Sequence, residues 1–412
     1  MWLKKTSVTA LKRRARLKLD LPSDGDLVHC DNVLCADGRL SGAYGFDEHK
    51  YFNAFKAVKV LGESEGWVYV STDEGLFVCH SKMPTHVSYD PYDETSGCWY
   101  QGLLIFSAPG YGTYVVRDAK KQIIYDVGCV SMAVCNDRIF GVDPKGNVHV
   151  APVGEMDFAE AFRITPHTKV AAVVAIGKKL YALGDTCYAV DPCHADDVDV
   201  TFRAISHGVG SVVTDSVATL GNRTIFATDS GLRVLQSDRV SPIFTSLGSL
   251  VSFDGCVACV HDGKYFITCK RLDGTRERND ITLILDVDKE KVVGVLNQGF
   301  ENIHSLGHTL YAVQNGLLLS MNQTTQTASW QRTVDFGDAG VKYLDTLLIA
   351  TKQDASVTVR TDNEKRIYRV KGKRTVQRIS LAGHGRTFTV TVQSCGGMDV
   401  HYVELTARSY EV

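Results

Sequence analysis

At 412 residues and 44% hydrophobic content, the chain has room for one large repeat fold or two to three ordinary domains, and enough apolar matter for a sizeable core. Its 45 Lys and Arg stand against 47 Asp and Glu. That near balance excludes a uniformly charged nucleic-acid binder or membrane-surface protein, so partners have to be argued from local features.

No apolar run approaches the roughly 20 residues of a membrane helix, and the first twenty residues, "MWLKKTSVTALKRRARLKLD", lack the apolar stretch of a signal peptide. The chain is therefore expected to be kept in a cytosol. Its twelve cysteines are expected to be mostly buried, reduced thiols with no structural disulfides.

The first element is a basic arm, residues 1–26. Lys4, Lys5, Lys12, Arg13, Arg14, Arg16 and Lys18 fall within nineteen residues that contain no acid. Such a segment docks on an acidic protein partner, contacts phosphates, or is a solvated tail that then pairs as a strand through "ARLKLDL". The strand-like "LVHCDNVLCADGRLSGAYGF" at 27–46 follows, and is expected to supply an outer strand to the last unit of a repeat.

That repeat is a hairpin of two short strands about a polar bend. "GWVYVSTDEGLFV" at 66 is followed by "GLLIFSAPGYGTYVV" at 102, "DRIFGVDPKGNVHV" at 137 and "KKLYALGDTCYAV" at 178. "RTIFATDSGLRVL" at 223, "GKYFITC" at 263 and "HTLYAVQNGLLL" at 308 complete seven copies. Aligned on Tyr69, Ile105, Phe140, Tyr181, Phe226, Phe266 and Tyr311, they are spaced by 36, 35, 41, 45, 40 and 45 residues. A four-stranded propeller blade has that length, so an all-β, seven-bladed β-propeller over residues 27–340 is expected. "MDFAEAFRI" at 156–164 is the one stretch that reads as an amphipathic helix.

Within the repeats, several groups invite a chemical reading and also have a plainer one. "STDEGLFV" at 71 and "TDSGLRVL" at 228 resemble part of the sialidase Ser-x-Asp-x-Gly-x-Thr-Trp turn, but lack its Thr-Trp end. They are expected to be turns whose Asp bonds nearby backbone amides. Asp73, Asp143, Asp185 and Asp229 occupy equivalent bends, which suits a repeated structural role better than two unlike catalytic carboxylates. His207 precedes a Gly-punctuated stretch with no helix behind it, so it reads as a loop into the next blade rather than a phosphate cradle. Cys256 and Cys259, like Cys30 and Cys35, have no second ligand pair at zinc spacing. In the sixth copy the charged insert "KRLDGTRERN", with Lys270, Arg271, Arg276 and Arg278, is expected to project and contact a neighbour.

After residue 340 the period changes, and alternating strands broken by "DNE", "GHG" and "CGG" predict a C-terminal antiparallel, sandwich-like β module over 341–412.

The stretch "FRAISHGVGSVVTDSVATLGNRTIFATDSGLRVLQSD" at 202–238 is similar to one in β-propeller virion proteins of tailed bacteriophages, and the run from Arg386 to Val412 resembles the sandwich ending of such chains. Tail-hub, nozzle and packaged-DNA-stabilisation proteins make up that family. The resemblance implies a non-enzymatic subunit of a homo-oligomeric tail or neck ring, located in the virion and assembled in the host cytoplasm. Its partners would be portal, adaptor or tail-ring neighbours, with nucleic acid touched only through a channel or the arm. No membrane contact, cofactor, metal or catalytic residue is implied. A receptor- or glycan-binding propeller, with Trp99, Tyr100 and Tyr111 as its candidate aromatics, is the alternative reading; a propeller hydrolase is the third.

Overall fold

A computed structural model describes residues 9–411 apart from 23, 50–55, 65–66, 81–82, 89–93, 95, 118–119, 159, 165–167, 192–199, 273–277, 323–326, 337–339 and 395–396. Lys4, Lys5 and Arg276 lie outside the described residues. The chain divides into two compact units: Phe46–Glu290 with Gln298–Asn322, and Met1–Gly45 with Lys291–Asn297 and Gln323–Val412.

The first unit is a β-propeller. Its first sheet is the antiparallel meander Ala57–Ser64, Trp67–Thr72, Gly75–His80 and Met83–Ser88. Four more meanders follow at 96–125, 131–162, 170–206 and 218–243. A sixth is built on Val251–His261, Lys264–Arg271 and Ile281–Asp286. The seventh is Asn302–Leu306, Thr309–Gln314 and Leu317–Asn322, completed by the much earlier strand Gly45–Glu48. The stretch 27–46 thus contributes to the last repeat only through its final residues.

The core of this unit lies between successive sheets. Phe106 and Tyr114 of the second sheet pack with Leu61 and Leu76 of the first, and Phe140 of the third packs with Val173 and Leu180 of the fourth. The circle closes where Leu306, Val313 and Leu318 of the seventh sheet meet Val60, Val70 and Phe77 of the first. All seven aligned residues stand on the second strand of their sheet. Five are buried, while Tyr69 and Tyr311 are half-buried.

The helix expected at 156–164 is absent; Glu160–Phe162 is instead the outer strand of the third sheet, paired with Val148–Val150. A short edge strand needs only a few hydrogen bonds to its neighbour, and that tertiary pairing overrides the local helical spacing.

The second unit is also β, gathered from distant stretches. One sheet orders Ala328–Val334, Phe388–Ser394, Ala355–Thr361 and Lys365–Val370. Residues alternate between buried and outward along Ala355–Thr361 and Phe388–Ser394, as in a sheet with one face on a core. The other sheet carries Val33–Ala36, Arg39–Gly42, Asp399–Glu411, Lys342–Thr351 and Lys373–Ser380. The strand Thr9–Arg16 pairs along its whole length with Asp399–Glu411, from Thr9 opposite Glu411 to Arg16 opposite Glu404.

This division differs from a boundary at residue 340. Ala328–Val334 belongs with the C-terminal strands because it pairs from Ala328 opposite Ser394 to Val334 opposite Phe388. Asp26 fixes the N-terminal segment to the same strand: its buried carboxylate accepts the Thr333 N–H at 2.6 Å, the Thr333 hydroxyl at 3.1 Å and the Gln331 amide at 2.9 Å. Basic residues 9–16 are therefore a strand of this unit and not a loose arm.

Candidate functional site

Where the first strands of the propeller sheets converge they line a cavity of 320 Å³. Lys59, from the first sheet, reaches Asp215 before the fifth, with Nζ 2.6 Å from Oδ1. Asn302 of the seventh sheet accepts the Val60 N–H at 3.0 Å on the same inner wall. Asp215 is the one carboxylate among the described lining residues, and Lys59 holds it. His304 also lines the cavity; burial, and then the Lys59 charge, lower its pKa to about 4.

The repeated turn aspartates bond backbone amides, as expected, but only partly within their own bends. Within the bends it is Thr72 and Thr228 that close the turn, their hydroxyls donating to Gly75 and Gly231 carbonyls at 2.8 and 2.9 Å. Asp143 accepts the Lys145 and Asn147 N–H of its own bend at 2.8 and 2.9 Å, whereas the other three aspartates reach outward to incoming loops. Asp73 accepts the Lys56 N–H, Asp185 the Gly210 N–H and Asp229 the Ser211 N–H, each at 3.1 Å. Gly210 has φ +101°, and a Cβ there would collide with the Asp229 carboxylate. Asp143 accepts the Asn147 side chain at 2.7 Å and lies 3.2 Å from His149 Nε2. Burial would raise the Asp143 pKa, but these bonds outweigh it and hold it below the ordinary carboxylate range.

Asp143, Asp185 and Asp229 line one hollow of 650 Å³, and Asp229 continues into a second of 610 Å³ that also contains Asp254. Among the described residues lining the two, Lys169 is the one cation. Asp185, Asp229 and Asp254 are exposed.

The basic residues of the arm sit on the other unit. Lys12, Arg13, Arg14, Arg16 and Lys18 are exposed along the strand Thr9–Arg16 and just beyond it. Lys12 Nζ lies 3.6 Å from Asp345, Lys18 pairs with Asp20 at 2.9 Å, and the Arg16 guanidinium covers the Tyr402 ring at 4.9 Å. The two units differ in charge. The propeller unit has 23 Lys and Arg against 33 Asp and Glu, while the composite unit has 22 against 14. Near neutrality of the whole chain hides a net of about −10 beside a net of about +8.

No protein-family model matches the chain, and no curated protein matches it by sequence. Among solved structures it is similar to the extracellular domain of a hybrid two-component system from B. thetaiotaomicron, at 12% identity and a TM-score of 0.49, over 82% of this chain. That match covers 47% of the other chain, so the protein spans about half of its length. The WD40 β-propeller domain of Doa1 is similar at 12% identity and TM-score 0.49, over 71% of this chain and 97% of that one. BamB from Moraxella catarrhalis matches at 11% and 0.46, over 77% and 97%.

The insert in the sixth copy is less free than expected at its base. Lys270 and Arg271 belong to the strand Lys264–Arg271, opposite Ser252 and Val251, because pairing resumes beyond a bulge. Arg271 donates its N–H to Asp280 at 2.9 Å, and exposed Arg278 pairs with Glu301 at 3.2 Å.

The remaining candidates have structural roles. Cys256 and Cys259 are buried free thiols, and burial pushes both pKa values up, that of Cys256 to about 12. Cys30 is buried and likewise raised to about 12, while Cys35 is half-buried. No group of three metal-ligating side chains occurs among the described residues. His207 lies in the loop before the fifth sheet, 3.2 Å from the Thr186 hydroxyl. Tyr100 is buried and donates to the Asp137 carbonyl at 3.1 Å, Tyr111 packs against the core between the first two sheets, and Trp99 is exposed. The charge separation between the units was legible in the sequence only as the arm, because the acids that make up its other half are scattered along the propeller unit.

Proposed function

We propose that the chain is a non-enzymatic structural subunit of a tailed-phage or phage-like particle, a seven-bladed propeller with an attached β unit, repeated about a tail or neck ring. The observation that carries this reading is a rigid β scaffold whose bend carboxylates are committed to backbone amides, joined to a second unit of opposite charge. The resemblance at 202–238 gives the particle its class. With the propeller cavity bridged by Lys59 and Asp215, the DNA channel of such a particle would run between subunits and not through a propeller.

The protein should form rings visible by negative-stain microscopy, with a mass by light scattering that is a whole multiple of the 45.2 kDa chain. It should also co-sediment with particles from the producing host. Absence from particle fractions overturns the virion assignment. A glycan-binding reading keeps one exposed aromatic of its three, Trp99, and glycan-array binding lost in Trp99→Ala would favour it.

A further inference from the structure

Thr9–Arg16 has one paired edge among the described residues, that with Asp399–Glu411. Side chains two apart on a strand share a face, so Lys12, Arg14 and Arg16 project together in a row about 13 Å long. Directly opposite residues share that face as well. Arg408 stands opposite Lys12, and Arg378 extends the Arg16 row through Glu404 and Leu348. The acids close to this face are fewer than its cations: Asp345, paired with Arg408 and Lys12, and Glu404, which accepts the Tyr402 hydroxyl at 2.7 Å. What remains is a sheet face with an excess of cations.

The propeller unit carries the complementary surface, with Asp185, Asp229 and Asp254 exposed on or beside three successive sheets and one lysine among the lining of their hollows. A basic patch and an acidic patch carried by one chain are complementary between two copies of it. Because the patches are different surfaces, the contact is heterologous, and such contacts generate rings when the rotation closes.

We infer that the Lys12–Arg14–Arg16 face docks on the Asp185–Asp229–Asp254 face of a second copy of this chain. This names the interface of the ring proposed above and rests on that reading. Opposed charge of this kind speeds encounter and fixes the register, and it weakens as salt rises.

A charge exchange in the full-length protein tests it. One variant carries Lys12→Glu, Arg14→Glu and Arg16→Glu. The other carries Asp185→Asn, Asp229→Asn and Asp254→Lys, whose amides preserve the acceptors for Gly210 and Ser211. Each alone should associate about 100-fold or more weakly in sedimentation velocity at low salt, and an equimolar mixture should form one-to-one heterodimers through the single interface whose two faces are both intact. Lys12→Gln, Arg14→Gln and Arg16→Gln adds no repulsion with Asp345, and should also weaken association if the Glu variant does not fold. Variants that assemble like the parent overturn this interface and leave the ring standing. A parent that is monomeric at every concentration and salt overturns the ring itself. Loss of binding to a single-stranded oligonucleotide with assembly intact assigns the face to nucleic acid, and overturns the inference.

Discussion

Lys59 and Asp215 join the inner wall of the first propeller sheet to the loop that leads into the fifth, at 2.6 Å. The Lys59 side chain is 19% exposed and that of Asp215 51%, so the pair is screened on one side and held on the other. Lys59→Met should cost only about 0.2–1 kcal/mol in urea unfolding. A loss of several kcal/mol would show that the cavity excludes water and that the stranded Asp215 is not solvated.

His304 gives this cavity a pH signature. Its folded pKa of about 4 lies below the ordinary 6.5, so the unfolded chain binds more protons between those values. Stability from this group is fully present above about 6.5 and is lost as pH falls toward 4, by an amount of order 3 kcal/mol. His304→Gln should flatten the melting-temperature profile across that window. An unchanged slope would assign the acid sensitivity to other groups.

Asp238 clasps the fourth and fifth sheets. It accepts the Tyr181 hydroxyl at 2.7 Å and pairs with Lys179 and Arg203 at 3.1 and 2.9 Å. The Tyr181 bond leads the causes that lower its pKa to about 2. Its contribution is therefore present above about pH 4 and disappears as pH falls through 2. Tyr181→Phe should cost about 1 kcal/mol near neutrality, measured by chemical denaturation, and equal stability would show that water replaces the hydroxyl.

Phe226→Ala should destabilise by about 3–5 kcal/mol, because the ring is fully buried between the fourth and fifth sheets. A cost below 1 kcal/mol would mean that the site collapses around the gap.

Removal of residues 1–16 should lower the melting temperature of the isolated protein, since it strips an eight-residue strand from Asp399–Glu411. An unchanged melt would return these residues to the status of a dispensable tail.

The hairpins were legible because each alternates apolar and polar residues about a Gly- or Asp-bearing bend, and that information is local. The face was less legible. Tyr181 and Phe226 were aligned as equivalents, yet both fall in the cluster between the fourth and fifth sheets, so they point toward each other. A shift of one residue reverses a strand's faces, and Ile225, next to Phe226, is equally buried. The composite unit was hidden for another reason: no pattern in residues 9–16 names a partner at 404–411. The bend aspartates were legible as acceptors of backbone amides, but only the fold decides that Asp143 finds them in its own bend while Asp229 finds one in an incoming loop and leaves Thr228 to close the turn.

The pairing of Thr9–Arg16 with Asp399–Glu411 sets a waiting time. At about 5–20 residues per second, a ribosome that has made Thr9–Arg16 needs on the order of tens of seconds to reach Asp399–Glu411. Until then the nascent strand has both edges open, a template for sticking to any other unfinished sheet. Lys12, Arg13, Arg14 and Arg16 make that template poor, because like-charged strands repel one another before they can pair. The same cations that mark this segment on the finished protein therefore also serve as its escort during synthesis.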